Sequence, residues 1–211
     1  VQTCALPISV VTGTLLDGTL AVGDEVDLLP GGARGRIRSL QTNREQVERA
    51  SPGRRLAVNV AGVDVEEVRR GDVLARPGEY RATRLIDVHL RLLADAPQPL
   101  RHNQEVDLFH GAAERIGHLR LIGTRELPPG QASFAQIRLR EPLVITRGDR
   151  FVLRQLSPSR TLGGGHVLDP HPRARWRRFR PDTLLRFERL AAGDPRDLLL
   201  EKLHTLEPTT A

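Results

Sequence analysis

The sequence predicts a mainly β protein made of two consecutive small barrels, followed by the start of a helical region. Short runs rich in β-branched and apolar residues alternate with turns of glycine, proline and aspartate over residues 10–168. The dipeptide Gly-Asp introduces such a run at Gly23, Gly71 and Gly148. The strand pattern stops in the segment 169–172, Asp-Pro-His-Pro, and apolar residues at helical spacing replace it.

The first barrel is predicted over residues 9–79. Asp17-Gly18 separates two apolar runs and predicts a hairpin between them. Val65–Arg70 is compatible with one helical turn. The remaining pattern consists of strands divided by turns, with strand candidates at Val10–Leu16, Glu25–Leu29, Arg34–Leu40, Leu56–Val60 and Val73-Leu74.

The second barrel is predicted over residues 80–168. Apolar and polar residues alternate along Leu85–Leu93. This pattern predicts that Ile86, Val88, Leu90 and Leu92 face the interior, whereas Asp87, His89 and Arg91 face solvent. The other strand candidates are Val106–Phe109, Ala113–Ile122, Ala132–Leu139, Phe151–Leu153 and His166–Leu168.

Residues 169–211 are predicted to be a basic linker and the opening of a helical domain. Leu184, Phe187, Leu190 and Ala191 fall on one helical face, and Gly193 is placed to end that helix. A second helix is predicted from Asp194 as N-cap, with Pro195 at its first position and an apolar face formed by Leu199, Leu200 and Leu203.

The first eight residues have a different interpretation. Residues 1–8, Val-Gln-Thr-Cys-Ala-Leu-Pro-Ile, resemble an in-frame translation of a common sequencing adapter. We therefore leave them out of the fold prediction and expect them to pack poorly. The only cysteine of the chain, Cys4, lies among them, so the sequence offers no disulfide framework.

Charge and composition narrow the function classes. The formal net charge is +6, and residues 171–189 alone carry seven arginines against Asp182 and Glu188. No run approaches the roughly 18 apolar residues of a membrane span, and no secretory signal is recognisable, so we expect a soluble cytoplasmic protein without a membrane partner. The seven histidines have irregular spacing, and therefore no metal site is predicted. No catalytic residues can be located from spacing.

Two segments are candidates for binding. Gly163-Gly164-Gly165 lacks the helix and the Lys-Ser/Thr pair of a phosphate loop, so a bulge that lets the backbone approach another chain or RNA is the favoured interpretation. A cluster of arginines around the single tryptophan forms a pattern suited to RNA contact. Its members are Arg173, Arg175, Trp176, Arg177 and Arg178. The alternative is a basic linker whose Trp176 and Phe179 anchor the next core.

Several motifs resemble the bacterial selenocysteine-specific elongation factors, the SelB family. The opening segment 10–15 and the segment 69–78, Arg-Arg-Gly-Asp-Val-Leu-Ala-Arg-Pro-Gly, resemble domain 2 of translational GTPases in general. The segments 106–114 and 148–154 are more specific, and the run from Ser157 to Pro170 is the most specific. The resemblance covers residues 9–193 or so, with domain 2 at 9–79, domain 3 at 80–168 and the lead into winged helices at 169–211.

This resemblance implies a role in delivering selenocysteinyl-tRNA to the ribosome. GTP and Mg²⁺ would be bound by a GTPase domain upstream of residue 9, and an mRNA hairpin would be bound by winged helices beyond this chain. No cofactor, no enzymatic activity and a monomeric state are therefore expected for this part. Two alternatives stay open: another translational GTPase, such as an elongation factor Tu relative or an initiation-factor gamma subunit, and a stand-alone β-barrel interaction module.

The resemblance also implies site residues. Arg55 aligns with an aminoacyl-pocket asparagine of elongation factor Tu, where a buried arginine would pair with the anionic selenolate of selenocysteine but not with serine. The alternative is a surface arginine on a strand rim. Candidates for contact with the tRNA acceptor and T stems lie in the segment that matches domain 3: Arg154, Gln155, Arg160, Gly163, Gly164 and Gly165.

Overall fold

A computed structural model describes residues 8–194 together with Arg196 and Leu199, and the chain divides into two compact units between Ala82 and Thr83. The predicted mainly β fold class is confirmed. The first unit contains the strands β1 (Ile8–Thr14), β2 (Leu20–Ala21), β3 (Glu25–Leu29), β4 (Ala33–Thr42), β5 (Glu45–Val47), β6 (Arg49–Ala50), β7 (Arg55–Ala61) and β8 (Val73–Ala75). A 3₁₀ turn at Val65–Glu67 matches the predicted helical turn.

The sheet of the first unit is antiparallel, with the strand order β1-β7-β4-β3-β8 and with β5 paired to β4. A separate two-stranded ladder joins β2 and β6. Alternate residues of β3, β4 and β7 face one apolar core that includes Val26, Leu28, Ile37, Leu40, Val58 and Val60. Residues 30–32 connect β3 to β4.

The hairpin predicted at Asp17-Gly18 is wrong. Strand β1 pairs with β7 along its whole length, from Ile8 opposite Ala61 to Thr14 opposite Arg55, and Leu20 pairs with Ala50 instead. Asp17-Gly18 does bend the chain, since Gly18 adopts a φ of 69° and its amide bonds to the Asp17 carboxylate. Turn chemistry therefore explains the local bend, but it does not determine which strand pairs with β1.

The second unit contains a closed barrel with the strand order β11-β12-β14-β9-β16-β15. Its strands are β9 (Ala82–Leu92), β10 (Leu100–Arg101), β11 (Glu105–His110), β12 (Ala113–Ile122), β13 (Glu126–Leu127), β14 (Ala132–Val144), β15 (Arg150–Gln155) and β16 (Arg160–Asp169). The residues predicted to face inward on β9 are fully buried, as are Val106, Leu108, Leu119, Leu121, Ile137 and Leu153. A two-stranded ladder of β10 and β13 lies outside the barrel ring.

The glycine run lies inside β16 and is paired on both sides. Gly164 is opposite Val152 of β15 and opposite Arg91 of β9. A Cβ atom on Gly163, Gly164 or Gly165 would lie 2.2, 2.4 or 1.9 Å from a backbone carbonyl oxygen of a neighbouring strand. The space above these glycines is therefore filled by this same barrel, which corrects the predicted bulge: the close approach is to strands β9 and β15.

One helix follows the barrel among the described residues. Helix α1 (Pro181–Ala192) begins with proline in its first turn and ends at Gly193 in the left-handed conformation, φ 73°, as predicted. Its buried face consists of Thr183, Phe187 and Leu190, whereas Leu184 and Ala191 of the predicted face are exposed. Most of the predicted second helix lies outside the described residues, as do residues 1–7 of the segment 1–8 that was left out of the fold prediction. Ile8, the last residue of that segment, begins β1 opposite Ala61.

No helix within the described part of the chain is long and apolar enough to cross a membrane. The same part of the chain contains no group of three or more His, Cys, Asp or Glu side chains that could hold a metal ion.

Candidate RNA-binding surfaces

The linker between β16 and α1 is held on the second barrel by the buried carboxylate of Asp87. Asp87 is fully buried, although its position on β9 faces away from the barrel interior. Its Oδ1 accepts a hydrogen bond from Gln136 Nε2, and its Oδ2 accepts bonds from Trp176 Nε1 and Arg186 Nη1, each at 2.8 Å. Arg186 also donates to Asp169 and stacks 4.3 Å from the Trp176 ring centroid.

Other arginines connect the same segment to the barrel by hydrogen bonds to backbone carbonyl groups. Arg178 donates from Nε to Leu121 O at 2.7 Å and from Nη2 to Thr124 O at 2.6 Å. Arg120 donates to the Trp176 carbonyl at 2.7 Å. Beneath this segment, helix α1 packs onto the barrel through a small apolar cluster formed by Ile122, Leu168, Phe187 and Leu190, with Phe134 and Trp176 against it.

The buried network makes stability depend on pH. Burial raises the pKa of Asp87 from 3.8 to about 7, against the opposing effects of Arg186, Gln136 and Trp176. Between these two pKa values the folded chain binds a proton that the unfolded chain has lost, so unfolding free energy falls as pH rises through this window. We expect a slope of at most about 1.4 kcal/mol per pH unit. Urea titrations at pH 5, 6, 7 and 8 should show this slope in the parent protein, while Asp87→Asn should remove it; parallel curves would contradict the assignment.

The segment predicted to contact RNA therefore divides into two groups. Trp176 and Arg178 are engaged with the second barrel. Trp176 therefore anchors the linker to the barrel that precedes it, whereas the alternative interpretation placed it in the next core. Phe179 does not share that role, because it is 59% exposed. Arg173, Arg175 and Arg177 are exposed, and their contact with RNA stays a prediction.

The predicted tRNA-contact residues of domain 3 lie on the β15–β16 hairpin. Arg154 is half-buried, and its guanidinium carbon lies 5.4 Å from the centroid of the Phe109 ring. Gln155 donates to Ser157 O, and Arg160 donates to Asp95 O at 3.0 Å. Arg154 Nε is buried without a hydrogen-bond partner among the described residues. The contact of these side chains with tRNA is untested and stays a prediction.

A shallow groove of about 580 Å³ runs along the outer face of this hairpin. It is lined by Phe109, Gly111, Arg150, Phe151, Val152, Gly165 and His166. His110 fixes one end, because its Nδ1 lies 3.0 Å from Arg150 O and its Nε2 lies 3.4 Å from an Asp149 carboxylate oxygen. The exposed cation Arg150 suits contact with the phosphates of a sugar-phosphate backbone.

Arg55 begins strand β7 in the first unit. Its backbone carbonyl accepts a hydrogen bond from Thr42 Oγ1 at 3.1 Å, while its side chain is exposed. Ala57 and Asn59 follow it on the same face of β7, opposite the core. Asn59 Oδ1 is buried and lacks a hydrogen-bond partner among the described residues. The side chain of Arg55 is thus available to a ligand, but this unit alone does not bury it as the prediction assumed.

Sequence reasoning missed Asp87, Phe109, Arg150 and His166. The alternation on β9 predicted that Asp87 is exposed to solvent. No local signal shows that a linker some 90 residues later covers it. The groove residues come from three strands whose pairing no short-range pattern reveals. Arg150 and Arg154, which flank the apolar run 151–153, are the local signal that could have suggested cations on the outer face.

Comparison with known protein families gives two matches. Residues 87–174 match the family model described as the β-barrel domain of the selenocysteine-specific elongation factor. Residues 9–75 match the model of elongation factor Tu domain 2.

Curated relatives agree with these matches. The selenocysteine-specific elongation factor of Desulfomicrobium baculatum is 36% identical over 92% of this chain, and that of Escherichia coli K12 is 33% identical over 83%. These alignments cover 30% and 26% of the two relatives, so the chain spans less than a third of their length. Elongation factor 1-alpha of Archaeoglobus fulgidus is 28% identical over 78% of the chain, and 43% of its own length is covered.

Proposed function

The chain belongs to the family of the selenocysteine-specific elongation factors, and we propose that it forms part of the surface with which such a factor holds selenocysteinyl-tRNA. In this proposal the two barrels are domains 2 and 3, at residues 9–79 and 80–168, and residues 169–211 lead toward winged helices. The chain then has no catalytic role of its own. GTP and Mg²⁺ belong to a GTPase domain of the longer factor, which delivers the tRNA to the ribosome in the cytoplasm as a monomer and contacts an mRNA hairpin through its winged helices.

The observation that carries the proposal is the set of arginines on the β15–β16 hairpin of the barrel that matches the family model. Arg150 lines the groove, Arg154 lies on the same face of β15 with Val152 between them, and Arg160 begins β16. A fork of guanidinium donors binds phosphate oxygens without reading the bases. Such contacts suit a double-stranded stem of tRNA, whose outer surface consists of phosphate and ribose.

Recognition of the selenocysteine itself is proposed to fall to Arg55. A selenol is more acidic than a thiol, so selenocysteine is presented as an anion, whereas serine is neutral. The guanidinium of Arg55 is always protonated and would form charge-assisted bonds only with the selenolate. Because the side chain is exposed in this unit, the aminoacyl group or another part of the longer factor would have to exclude water around it.

Arg55→Ala tests this role in the complete gene product that contains these residues. The rate at which the aminoacyl ester hydrolyses, with and without protein, reports how well the protein covers the aminoacyl end. We expect the variant to lose about tenfold or more of its preference for selenocysteinyl over seryl ester on the same tRNA. Arg54→Ala, an exposed neighbour, is the matched control. An unchanged preference in Arg55→Ala would exclude Arg55 as the residue that recognises the selenolate. It would not contradict the proposal that the barrels bind tRNA.

The alternative of another translational GTPase has weaker support. The selenocysteine-specific relative from Desulfomicrobium baculatum is 36% identical over 92% of the chain, against 28% over 78% for the elongation factor 1-alpha from Archaeoglobus fulgidus. The β-barrel family model is likewise specific to the selenocysteine factors.

A further inference from the structure

A second group of cations lies on the second unit, on the outer face of β12 and on the loops next to it. We call it the basic cluster, and it consists of His102, Arg120, Arg125, Arg175 and Arg178. Arg120 projects from β12, where its strand partner is Gln136. His102 is brought alongside β12 by the backbone bonds Asn103 N to Leu119 O and Leu119 N to Gln104 O.

The linker adds the remaining charges. Arg178 bonds to the carbonyl groups of Leu121 and Thr124, and Gly123 N donates to the Arg178 carbonyl at 2.8 Å. Arg125 and Arg175 are exposed. The cluster thus joins β12, the loop before β11 and the linker after β16, and backbone bonds hold its two central guanidinium groups in place.

The members of the basic cluster repel one another. Burial and then the charges of Arg178, Arg120 and Arg175 lower the pKa of His102. Burial and then Arg175 and Arg178 lower the pKa of Arg120, and burial with Arg125 lowers that of Arg178. No carboxylate contributes to any of these shifts, and none of the ion pairs within residues 8–194 includes a member of the cluster.

Two nitrogen atoms of the cluster also lack hydrogen-bond partners. His102 Nδ1 and Arg120 Nε are both buried, and neither has a partner among the residues that the structure describes. Buried polar atoms without partners are costly, and like charges held together add to that cost. Both costs fall if an anion with several acceptor oxygens occupies the site.

We propose that the basic cluster is a phosphate-binding site for the RNA backbone, separate from the groove beside β15. Phosphate offers several acceptor oxygens and negative charge, which match the planar guanidinium donors. The exposed Arg125 and Arg175 leave room for a polymer to pass, as an RNA backbone requires. Because it takes the phosphate to be part of RNA, this inference rests on the proposed function.

The test compares salt dependence of RNA binding in the complete gene product. The probe is uncharged tRNA, so the result does not depend on recognition of the aminoacyl group. The site variant is Arg125→Gln with Arg175→Gln, since neither side chain bonds to another described residue. The matched control is Arg69→Gln with Arg70→Gln, two exposed arginines of the first unit. We expect the slope of log Kd against log[salt] to decrease by about one to two in the site variant. The slope should stay unchanged in the control.

Inorganic pyrophosphate distinguishes the sources of phosphate. If the site variant changes neither the salt slope nor pyrophosphate binding, the site itself is overturned. Tight pyrophosphate binding that the site variant loses, together with unchanged RNA binding, would overturn the assignment to RNA. If the parent protein instead shows no preference for selenocysteinyl over seryl-tRNA, the proposed function fails, while the salt slopes still decide whether the basic cluster binds RNA.

Discussion

Replacing Asp87 with alanine is expected to lower the unfolding free energy of the second unit by about 3 kcal/mol. The change removes the acceptor for Gln136, Trp176 and Arg186 at once. Breaking a buried ion pair by removing one partner costs about 3–5 kcal/mol, and Arg186 keeps its bond to Asp169, so the lower end applies. The linker and α1 should loosen before the barrel unfolds, because this carboxylate connects them to β9.

Trp176 is the only tryptophan of the chain, so its fluorescence during urea unfolding reports on this network. The titration belongs at pH 8, above the raised pKa of Asp87, where the carboxylate is ionised. Asp95→Ala is a suitable control, since Asp95 is exposed and its contact to Arg160 uses the backbone carbonyl. A loss below about 1 kcal/mol in Asp87→Ala would mean that the network does not hold the linker.

Gly165→Ala is expected to destabilise the second barrel by roughly 3 kcal/mol or to prevent its folding. The added Cβ would lie 1.9 Å from the His89 carbonyl oxygen and 2.8 Å from Leu90 Cα. Both are backbone atoms of β9, so relief requires the two paired strands to separate. The barrel cannot open this ladder without exposing the interior side chains of β9.

Gly13→Ala provides the matched control, because Gly13 is also a strand glycine but has nothing within 4 Å of its Cβ position. We expect a change within about 0.5 kcal/mol there. Circular dichroism during thermal unfolding measures the stability of both variants, which carry one replacement each, one in each unit. A Gly165→Ala protein as stable as its parent would contradict the close approach of β16 to β9.

The strands of the closed barrel in the second unit could be predicted from sequence because their signal is local. Ile86, Val88, Leu90 and Leu92 alternate with polar residues, and the structure buries all of them. Helix α1 was predictable for the same reason, since Pro181 and Gly193 mark its ends. The burial predicted at position 184 was wrong. The helix pattern does not show that the outer surface of the barrel covers residues 183, 187 and 190.

The site was less predictable because it depends on contacts between distant segments. The same alternation that located β9 placed Asp87 in water, and only the return of Trp176 and Arg186 to that strand explains its burial. The hairpin at Asp17-Gly18 failed in the same way, since the partner of β1 lies more than 40 residues later. Arginine-rich segments are equally ambiguous: Arg178 packs on the barrel, while Arg175, three residues earlier, stays exposed.

The central claim is that these two barrels belong to a surface that holds selenocysteinyl-tRNA. The most direct measurement is the affinity of the complete gene product, with GTP present, for the same tRNA carrying selenocysteine or serine. A single tRNA body keeps the phosphate contacts of the second barrel constant, so the ratio of the two Kd values isolates the aminoacyl group. The account predicts tight binding of both with selenocysteinyl-tRNA bound at least about tenfold tighter. Equal affinities, or no binding of either tRNA, would contradict it.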